Sequence, residues 1–542
     1  MDTQRLILFF VFSFSLLLLW EAWQKELPPV VPAAPTSPQS TPAPSAPTVV
    51  TAARGAGVVP AINAPQGGQR VHVRTDTMVA EIDTQGGDLV YLELLQHKDT
   101  LDGSKNFVLL GPEHRYAAQS GLTGGLPFHR TLFTTAQLES RLAPGKDNLE
   151  VRLEASAPDG VKVTKILTFH RASYQIDIAE EVRNGTASPL STFAYFQLTR
   201  DGKAPVGDPR MAQTYTGAAL YTEQDKFQEL PFGDIDKGKF SSKLSNSGWI
   251  AMVQHYFVAA FLPPDKLERD FYASRLAENF YSVGVKVSLG PIAPGATARV
   301  TVPLYAGPQD QDHLKAVAPG LELVVDYGRL KVIAQPLFWV LKLFHGWMGN
   351  WGLAIILLTV AIKLIFFPLS AASYRSMAKM KLVTPRLMKL REQYAGDKTK
   401  MNQAMMDLYK TEKINPLGGC LPILVQIPVF IALYWVLFES VELRNAPFYL
   451  WIKDLSAPDP WYVLPTLMMA SMIVQTKMNP TPPDPVQAKV MMIMPFAFGV
   501  MFYFFPSGLV LYWFVNNILS ILQQWQITRM IGGEKAAASA KR

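Results

Sequence analysis

Trp351-Gly-Leu-Ala-Ile-Ile-Leu-Leu-Thr-Val-Ala-Ile-Lys-Leu-Ile-Phe-Phe-Pro-Leu369 is a run of 19 residues whose only formal charge is Lys363. Nineteen apolar residues suffice to cross a bilayer as a helix. A charge inside such a span costs roughly 2.5–3.5 kcal/mol on insertion scales, so an intramembrane lysine marks a functional position by default. The competing reading is a snorkelling lysine. Lys363 lies five residues before Pro368, about 7.5 Å along a helix, and its stem can reach an interface. Position alone leaves the two readings equal, and the rest of the chain has to decide.

Outward from this run, the 542 residues are too many for one ordinary domain. An apolar content of 49% with 18% charged residues leans towards a membrane protein with a substantial soluble part. The net charge of +7 is concentrated: residues 370–416 hold ten Lys/Arg against four acids, leaving the remainder near neutral. Such a patch suits anionic lipid headgroups or RNA-rich partners. The single cysteine, Cys420, excludes an intramolecular disulfide and is read as a small apolar filler.

Towards the N-terminus, Leu6–Trp20 is almost wholly apolar. It reads as a retained signal anchor with Trp20 and Trp23 at the outer interface, because no clean small-x-small cleavage site follows. Residues 27–69 are a Pro/Ala-rich tether that cannot build a core. From Arg70 the pattern becomes alternating, as in Arg70-Val-His-Val-Arg74, Asn148-Leu-Glu-Val-Arg-Leu-Glu154, Val161-Lys-Val-Thr-Lys-Ile-Leu-Thr-Phe169 and Thr297-Ala-Arg-Val-Thr-Val-Pro-Leu-Tyr305. Period-two alternation between turn residues predicts a large antiparallel β-sandwich. Gln335–Met348, with Leu337, Leu341 and Phe344 at helical spacing, predicts a helix lying in the outer interface or packed on the sandwich; periodicity does not separate the two.

Beyond the Lys363 run, apolar stripes on either side of Gly396-Asp397 predict two paired helices, the first bent by Pro385. Four more apolar stretches follow: Leu421–Val441, Trp461–Gln475, Val490–Phe505 and Gly508–Leu522. The last three are near or below spanning length, which implies a thinned bilayer or shielding by protein. Lys and Arg crowd the loops on one side, which by the positive-inside rule is the cytoplasm.

The expected fold class is therefore a polytopic α-helical membrane protein of six spans, with a five-helix core and a large periplasmic β-sandwich. Its order is an anchor over 1–26, a linker over 27–69, the β-domain over 70–332 and an interfacial amphipathic helix over 333–350. A second span over 351–369, a basic cytoplasmic hairpin over 370–416, spans three to six over 417–528 and a cytoplasmic tail over 529–542 complete it. Both termini are expected in the cytoplasm. The polar residues within the spans are Thr359, Lys363, Gln426, Glu439, Ser471, Gln475, Asn516 and Asn517. The chain carries no phosphate-binding glycine loop, zinc-ligand spacing or nucleophile motif. No metal, cofactor or enzymatic activity is expected.

Asn415-Pro-Leu-Gly-Gly-Cys-Leu-Pro422, Met377-Ala-Lys-Met380, Ser440-Val-Glu-Leu-Arg444 and Phe505-Pro-Ser-Gly-Leu-Val-Leu-Tyr512 resemble the bacterial YidC insertases of the YidC/Oxa/Alb family, Gram-negative type. The resemblance covers essentially the whole chain. It implies an ATP-independent insertase and chaperone for inner-membrane proteins, working alone or with the Sec translocon. Five spans are expected to enclose a hydrophilic groove whose positive charge attracts the acidic tail of a nascent membrane protein. Most relatives place Arg there; Lys363 keeps the charge and loses the planar fork, which favours point-charge attraction.

By the same resemblance, Thr359, Gln426 and Asn516 hydrate the groove beside Lys363, with Trp513 at a position that is often Tyr. Ile427, Phe430, Pro495 and Phe498 offer an apolar exit surface, for which ordinary span packing is an equal reading. The hairpin, with Arg375, Lys379, Lys381 and Arg391, is expected to meet the ribosome, the signal-recognition machinery or anionic lipid, without nucleic-acid specificity. It also serves as a plain orientation signal. Two other classes stand beside this one: a transporter or channel, and a membrane-anchored periplasmic carbohydrate-binding protein.

Overall fold

The computed structural model describes residues 68–206, 214–240, 242–394, 396–412, 421–479 and 485–540. The expected anchor, the linker as far as residue 67, Cys420 and the 415–420 portion of the motif lie outside the described residues.

The alternating segments form two stacked sheets. The ten-stranded sheet runs from Ser242–Ser245 through Arg269–Ala277, Phe280–Ile292, Leu190–Asp201, Ala117–Leu122, Asp88–Lys98, Met78–Asp83 and Arg70–Arg74 to Glu139–Arg141, with Asn106–Leu110 beside Asp88–Lys98. The eight-stranded sheet runs Lys226–Leu230, Gly217–Thr222, Trp249–Gln254, Phe257–Phe261, Thr297–Pro308, Gln175–Arg183, Lys162–His170, Asn148–Ser156. The strand Asn148–Ser156 shows why alternation builds a sandwich: Val151, Leu153 and Ala155 turn into the core while Glu150, Arg152 and Glu154 face out. Inner faces of both sheets, among them Val71, Leu92, Phe196, Ile178, Phe261 and Val302, make one core.

Several strands break the alternation. Trp249–Gln254 and Phe257–Phe261 are buried along both faces. Ile250, Met252, Phe257 and Ala259 point into the sandwich, whereas Trp249, Ala251, Val258 and Ala260 join a second core with Leu314, Leu321 and Val324. That second core continues without interruption into the helical region, through Phe338 and Leu341 to Leu358, Leu433 and Val510.

Helix α1 (Lys331–Met348) buries Ala334, Phe338 and Leu341 and exposes Val332, Trp339 and Trp347. It packs on α2 (Trp351–Ile365) and on α5 (Leu421–Glu439). Asn350 caps α2, accepting from Leu353 N–H at 3.1 Å and donating to the carbonyls of Pro447 (3.2 Å) and Phe448 (3.1 Å). Close approach there requires glycine: a β-carbon on Gly352 would stand 2.0 Å from the Phe448 ring.

Within the expected span over 351–369 the helix is interrupted. The helix stops at Ile365 and restarts as α3 (Phe367–Gln393), bent by 68°. Pro368 has no N–H to give Leu364 and suits the first turn of the following helix. Among the described residues no single helix is long and apolar enough to cross a membrane, but α2 and α3 meet that length and composition together.

Asp397 caps α4 (Lys398–Thr411) by accepting from the N–H groups of Thr399 (3.1 Å) and Lys400 (3.0 Å). Between α3 and α4 lies a small core of its own, Val383 and Leu387 against Met405, Leu408 and Tyr409. Pro385 sits inside α3, which continues to Gln393. Helices α6 (Val463–Met478), α7 (Pro485–Phe502) and α8 (Ser507–Ala540) complete the region. The apolar stretch ending at Leu522 is only the first half of α8, whose helix runs on through residues 523–540.

Candidate functional site: a polar chain inside the helices

One helix turn separates Thr359 from Lys363 on α2, so both face the same way. That face packs on α8. There Asn516 and Ser520, also four residues apart, present polar groups to it. Lys363 is 6% exposed, and its ammonium donates to Ser520 Oγ at 2.7 Å. The Ser520 hydroxyl in turn donates to the Asn516 carbonyl at 2.7 Å. Gln426 of α5 donates through Nε2 to Asn516 Oδ1 at 2.7 Å. Lys363, Ser520, Asn516 and Gln426 thus form one continuous chain across three helices.

The chain contains a cation and neutral groups. No carboxylate forms an ion pair with Lys363 among those of the described residues. A buried charge answered only by a hydroxyl keeps most of its field for whatever approaches it, whereas a paired charge would be largely cancelled.

Three of the expected groove residues, Lys363, Gln426 and Asn516, are brought together. Thr359 is buried at 1% exposure and spends its hydroxyl on its own helix, donating to the Ile355 carbonyl at 2.7 Å. Trp513 lies outside the polar chain, edge-on to Phe430 with ring centroids 4.2 Å apart and to Phe502 at 4.7 Å. Ser520 went unrecognised in the sequence, although its place one turn beyond Asn516 was a usable signal.

A second polar face of α8 meets α6. Asn517 donates to Ser471 Oγ at 3.3 Å and approaches Met468 Sδ at 3.4 Å. Gln524 donates to Asn479 Oδ1 at 3.1 Å. These contacts hold α8 to its neighbour and leave the Asn516–Ser520 face for α2 and α5.

Of the expected exit surface, Ile427 is 44% and Phe498 36% exposed, and Phe430 is half-buried in the aromatic cluster with Trp513. Pro495 is buried, which matches the span-packing reading that stood equal to the exit-surface one. It shares its side of α7 with Gly499, where the helix presses on Met469 of α6, so the missing side-chain bulk serves helix packing. The exposed face of α7 is made by Ile493, Phe496, Phe498 and Val500 instead. In the hairpin, Arg375, Lys379 and Lys381 are exposed and Arg391 is half-buried. Among the described residues, no group of three or more His, Cys, Asp or Glu is placed to hold a metal ion.

The model of the YidC periplasmic domain family matches residues 70–340, and that of the 60Kd inner membrane protein family matches residues 343–534. The membrane protein insertase YidC of Nitrosospira multiformis is 56% identical over 567 residues, covering 100% of each chain. That of Dechloromonas aromatica is 55% identical over 547 residues, again 100% of each. A solved structure of an active YidC insertase with its first transmembrane domain resolved aligns at 19% identity with a TM-score of 0.39, over 86% of this chain and 94% of its own.

Proposed function

This chain belongs to the YidC family of membrane protein insertases, and from that premise we propose that Lys363 and the neutral groups bonded around it are the floor of a hydrophilic, positively charged intramembrane groove. It is an inner-membrane insertase with a periplasmic domain, and its substrates are membrane proteins. In our reading the chain crosses six times with both termini in the cytoplasm. Residues 1–26 form the anchor, and α1 lies along the outer interface with Trp339 and Trp347 in the headgroup layer. The reaction moves a polypeptide and makes no covalent change, so no catalytic group or cofactor is called for.

The observation that carries this reading is the Lys363 ammonium, buried among the helices and bonded to the neutral hydroxyl of Ser520. Moving a hydrophilic tail across intact hydrocarbon leaves its backbone groups unsatisfied, at several kcal/mol each. A hydrated half-channel shortens that path, and the positive charge draws in an acidic tail. Burial of the substrate's apolar helix in lipid then drives the step at roughly 25 cal/mol per Å². The membrane potential adds about 2.3 kcal/mol per charge per 100 mV for charges crossing in the favourable direction.

Ile427, Phe430 and Phe498, with the exposed face of α7, give the departing helix an apolar surface. The basic hairpin would meet the ribosome, the signal-recognition machinery and anionic lipid, and the Sec translocon would share larger substrates. The test is insertion of a substrate with an acidic translocated tail into proteoliposomes bearing Lys363→Glu, Lys363→Ala or Lys363→Arg at matched protein levels. Charge reversal should cost most and Arg least. Equal insertion by Lys363→Glu and the native protein would sink the electrostatic role.

A further inference from the structure

Asn445-Ala-Pro-Phe-Tyr-Leu-Trp-Ile-Lys-Asp-Leu-Ser-Ala-Pro-Asp-Pro-Trp-Tyr462 joins α5 to α6 and is rich in aromatic residues for a connecting segment. Arg444, just before it, donates to Thr100 of the β-domain at 3.1 Å. The segment therefore lies on the periplasmic side of the helices.

A loop that meets only water turns its polar residues outward, and this one does the reverse. Leu450 is 85% exposed, Trp461 68%, Tyr449 55% and Tyr462 51%. Its two acids are engaged in its own turns. Asp459 is buried and accepts from the N–H groups of Trp461 (3.0 Å) and Leu464 (2.7 Å). Asp454 accepts from the Ser456 N–H at 2.8 Å and hydroxyl at 2.7 Å. Lys453 is the charge left facing outward.

The backbone is bent to make this display. Leu450 at φ +57° and Tyr462 at φ +56° both occupy the left-handed region, which bulky side chains enter reluctantly. A tight turn holds the first of them: the Phe448 N–H donates to the Ile452 carbonyl at 3.0 Å and the Ile452 N–H to the Tyr449 carbonyl at 3.2 Å, with Leu450 at the tip. Strain of this kind persists where the surroundings enforce it, and it clusters at functional positions.

The tip is fastened to two helices. Asn350, the cap of α2, donates to the carbonyls of Pro447 and Phe448. At the start of α8, the Ser507 N–H donates to the Ala457 carbonyl at 2.8 Å and the Gly508 N–H to that of Leu455 at 2.9 Å. Shortly before Asn350, exposed Trp347 and Met348 at the end of α1 extend the apolar surface.

We propose that residues 447–462 are a lipid anchor seated in the outer leaflet, with Leu450 at the acyl boundary, and that this anchor fixes the level of α2 and α8, the helices bearing Lys363 and Ser520. Tyrosine and tryptophan place apolar rings and polar tips at headgroup depth, and an outward lysine reaches lipid phosphate. A projecting leucine at the ends of membrane helices suits acyl chains, where a flat protein partner would meet only its tip.

The test uses the full-length protein with Cys420→Ser and one new cysteine, Leu450→Cys, Tyr449→Cys or Arg152→Cys, labelled with an environment-sensitive fluorophore in nanodiscs of phosphatidylethanolamine and phosphatidylglycerol. Arg152, exposed on the outermost strand of the eight-stranded sheet, is the aqueous reference. At 450, and at 449 as the second site, blue-shifted emission is expected. Quenching by lipid with a nitroxide near the headgroup should be several-fold stronger than at 152, and quenching by iodide lost. Emission and iodide quenching equal to those at 152 overturn the proposal. So does a probe shielded from iodide and lipid alike, which marks a protein neighbour. Leu450→Asp should raise hydrogen exchange several-fold at residues 350–354 and 507–510, with Leu450→Phe unchanged from the native protein. Unaltered exchange in Leu450→Asp overturns the coupling to α2 and α8.

Discussion

Arg444 and Thr100 stand 344 positions apart in the chain, yet the Arg444 guanidinium donates through Nη2 to Thr100 Oγ1 at 3.1 Å. The same guanidinium lies over the rings of Phe107 at 5.1 Å, Phe257 at 5.2 Å and Tyr256 at 5.9 Å. Three aromatic faces from the β-domain thus hold a cation from the loop that follows α5, and His255 lies 3.1 Å from the Phe438 carbonyl in α5 itself. The helix carrying Gln426 is in this way anchored to the sandwich at its other end.

Arg444→Ala should loosen that anchorage. Cation–π contacts of partly desolvated groups contribute about 1–2 kcal/mol, and a hydrogen bond to a charged group about 1.5–3. Hydrogen exchange should rise in residues 99–107 and 440–446, with Arg444→Lys intermediate. Unchanged exchange in both segments would show that the contact carries no docking energy.

Asp88 makes the β-domain's stability pH-dependent with a determinable sign. Its folded pKa, raised by burial to about 7 from 3.8, means the native state holds the proton more tightly. Asp88 therefore lowers stability progressively as pH rises from about 4 to 7, by up to about 4 kcal/mol. His129, lowered to about 4, has the opposite slope between pH 4 and 6.5 and masks this in the native protein. Asp88→Asn isolates it: relative to the native protein, the variant should gain stability as pH rises from 4 to 7.5 in denaturant titrations. A pH-independent difference would contradict the raised pKa.

Asn516→Leu removes the middle of the polar chain, leaving Gln426 without its 2.7 Å acceptor. Hydrogen bonds between membrane helices average about 0.6 kcal/mol, so the helices should stay assembled and the melting temperature should hardly move. If Asn516 hydrates the proposed groove, insertion of a substrate with a polar translocated tail should fall several-fold. Full insertion activity in the variant would remove Asn516 from the groove.

Gly352→Ala places a methyl group against Phe448 at an impossible 2.0 Å. Overpacking of this kind costs about 1–3 kcal/mol. Thermal inactivation should accelerate, and adding Phe448→Ala should restore part of the loss. No rescue by the second substitution would place the damage elsewhere.

Much of this was written in local patterns. Alternation of side chains along Asn148–Glu154 is enough to make a two-faced strand, since successive side chains point to opposite sides. The turn at Asp397 follows from a short side chain that accepts backbone N–H groups. Lys363 declared itself as one charge in an apolar run. Each of these depends on neighbours within a few residues.

Tertiary structure alone decided the rest. The helix break at Phe366 reflects Pro368 acting on a chain that also turns into the hairpin. The burial of Trp249–Gln254 on both faces reflects a connecting segment laid across the sheet. Pro495, for which the sequence left exit surface and span packing equal, is buried because α7 turns that side to α6. The choice of Ser520 as the partner of Lys363, 157 residues away, depends on how α2 and α8 are rotated about their axes. Local periodicity sets which side chains share a face; only the packing of one helix on another sets what that face meets.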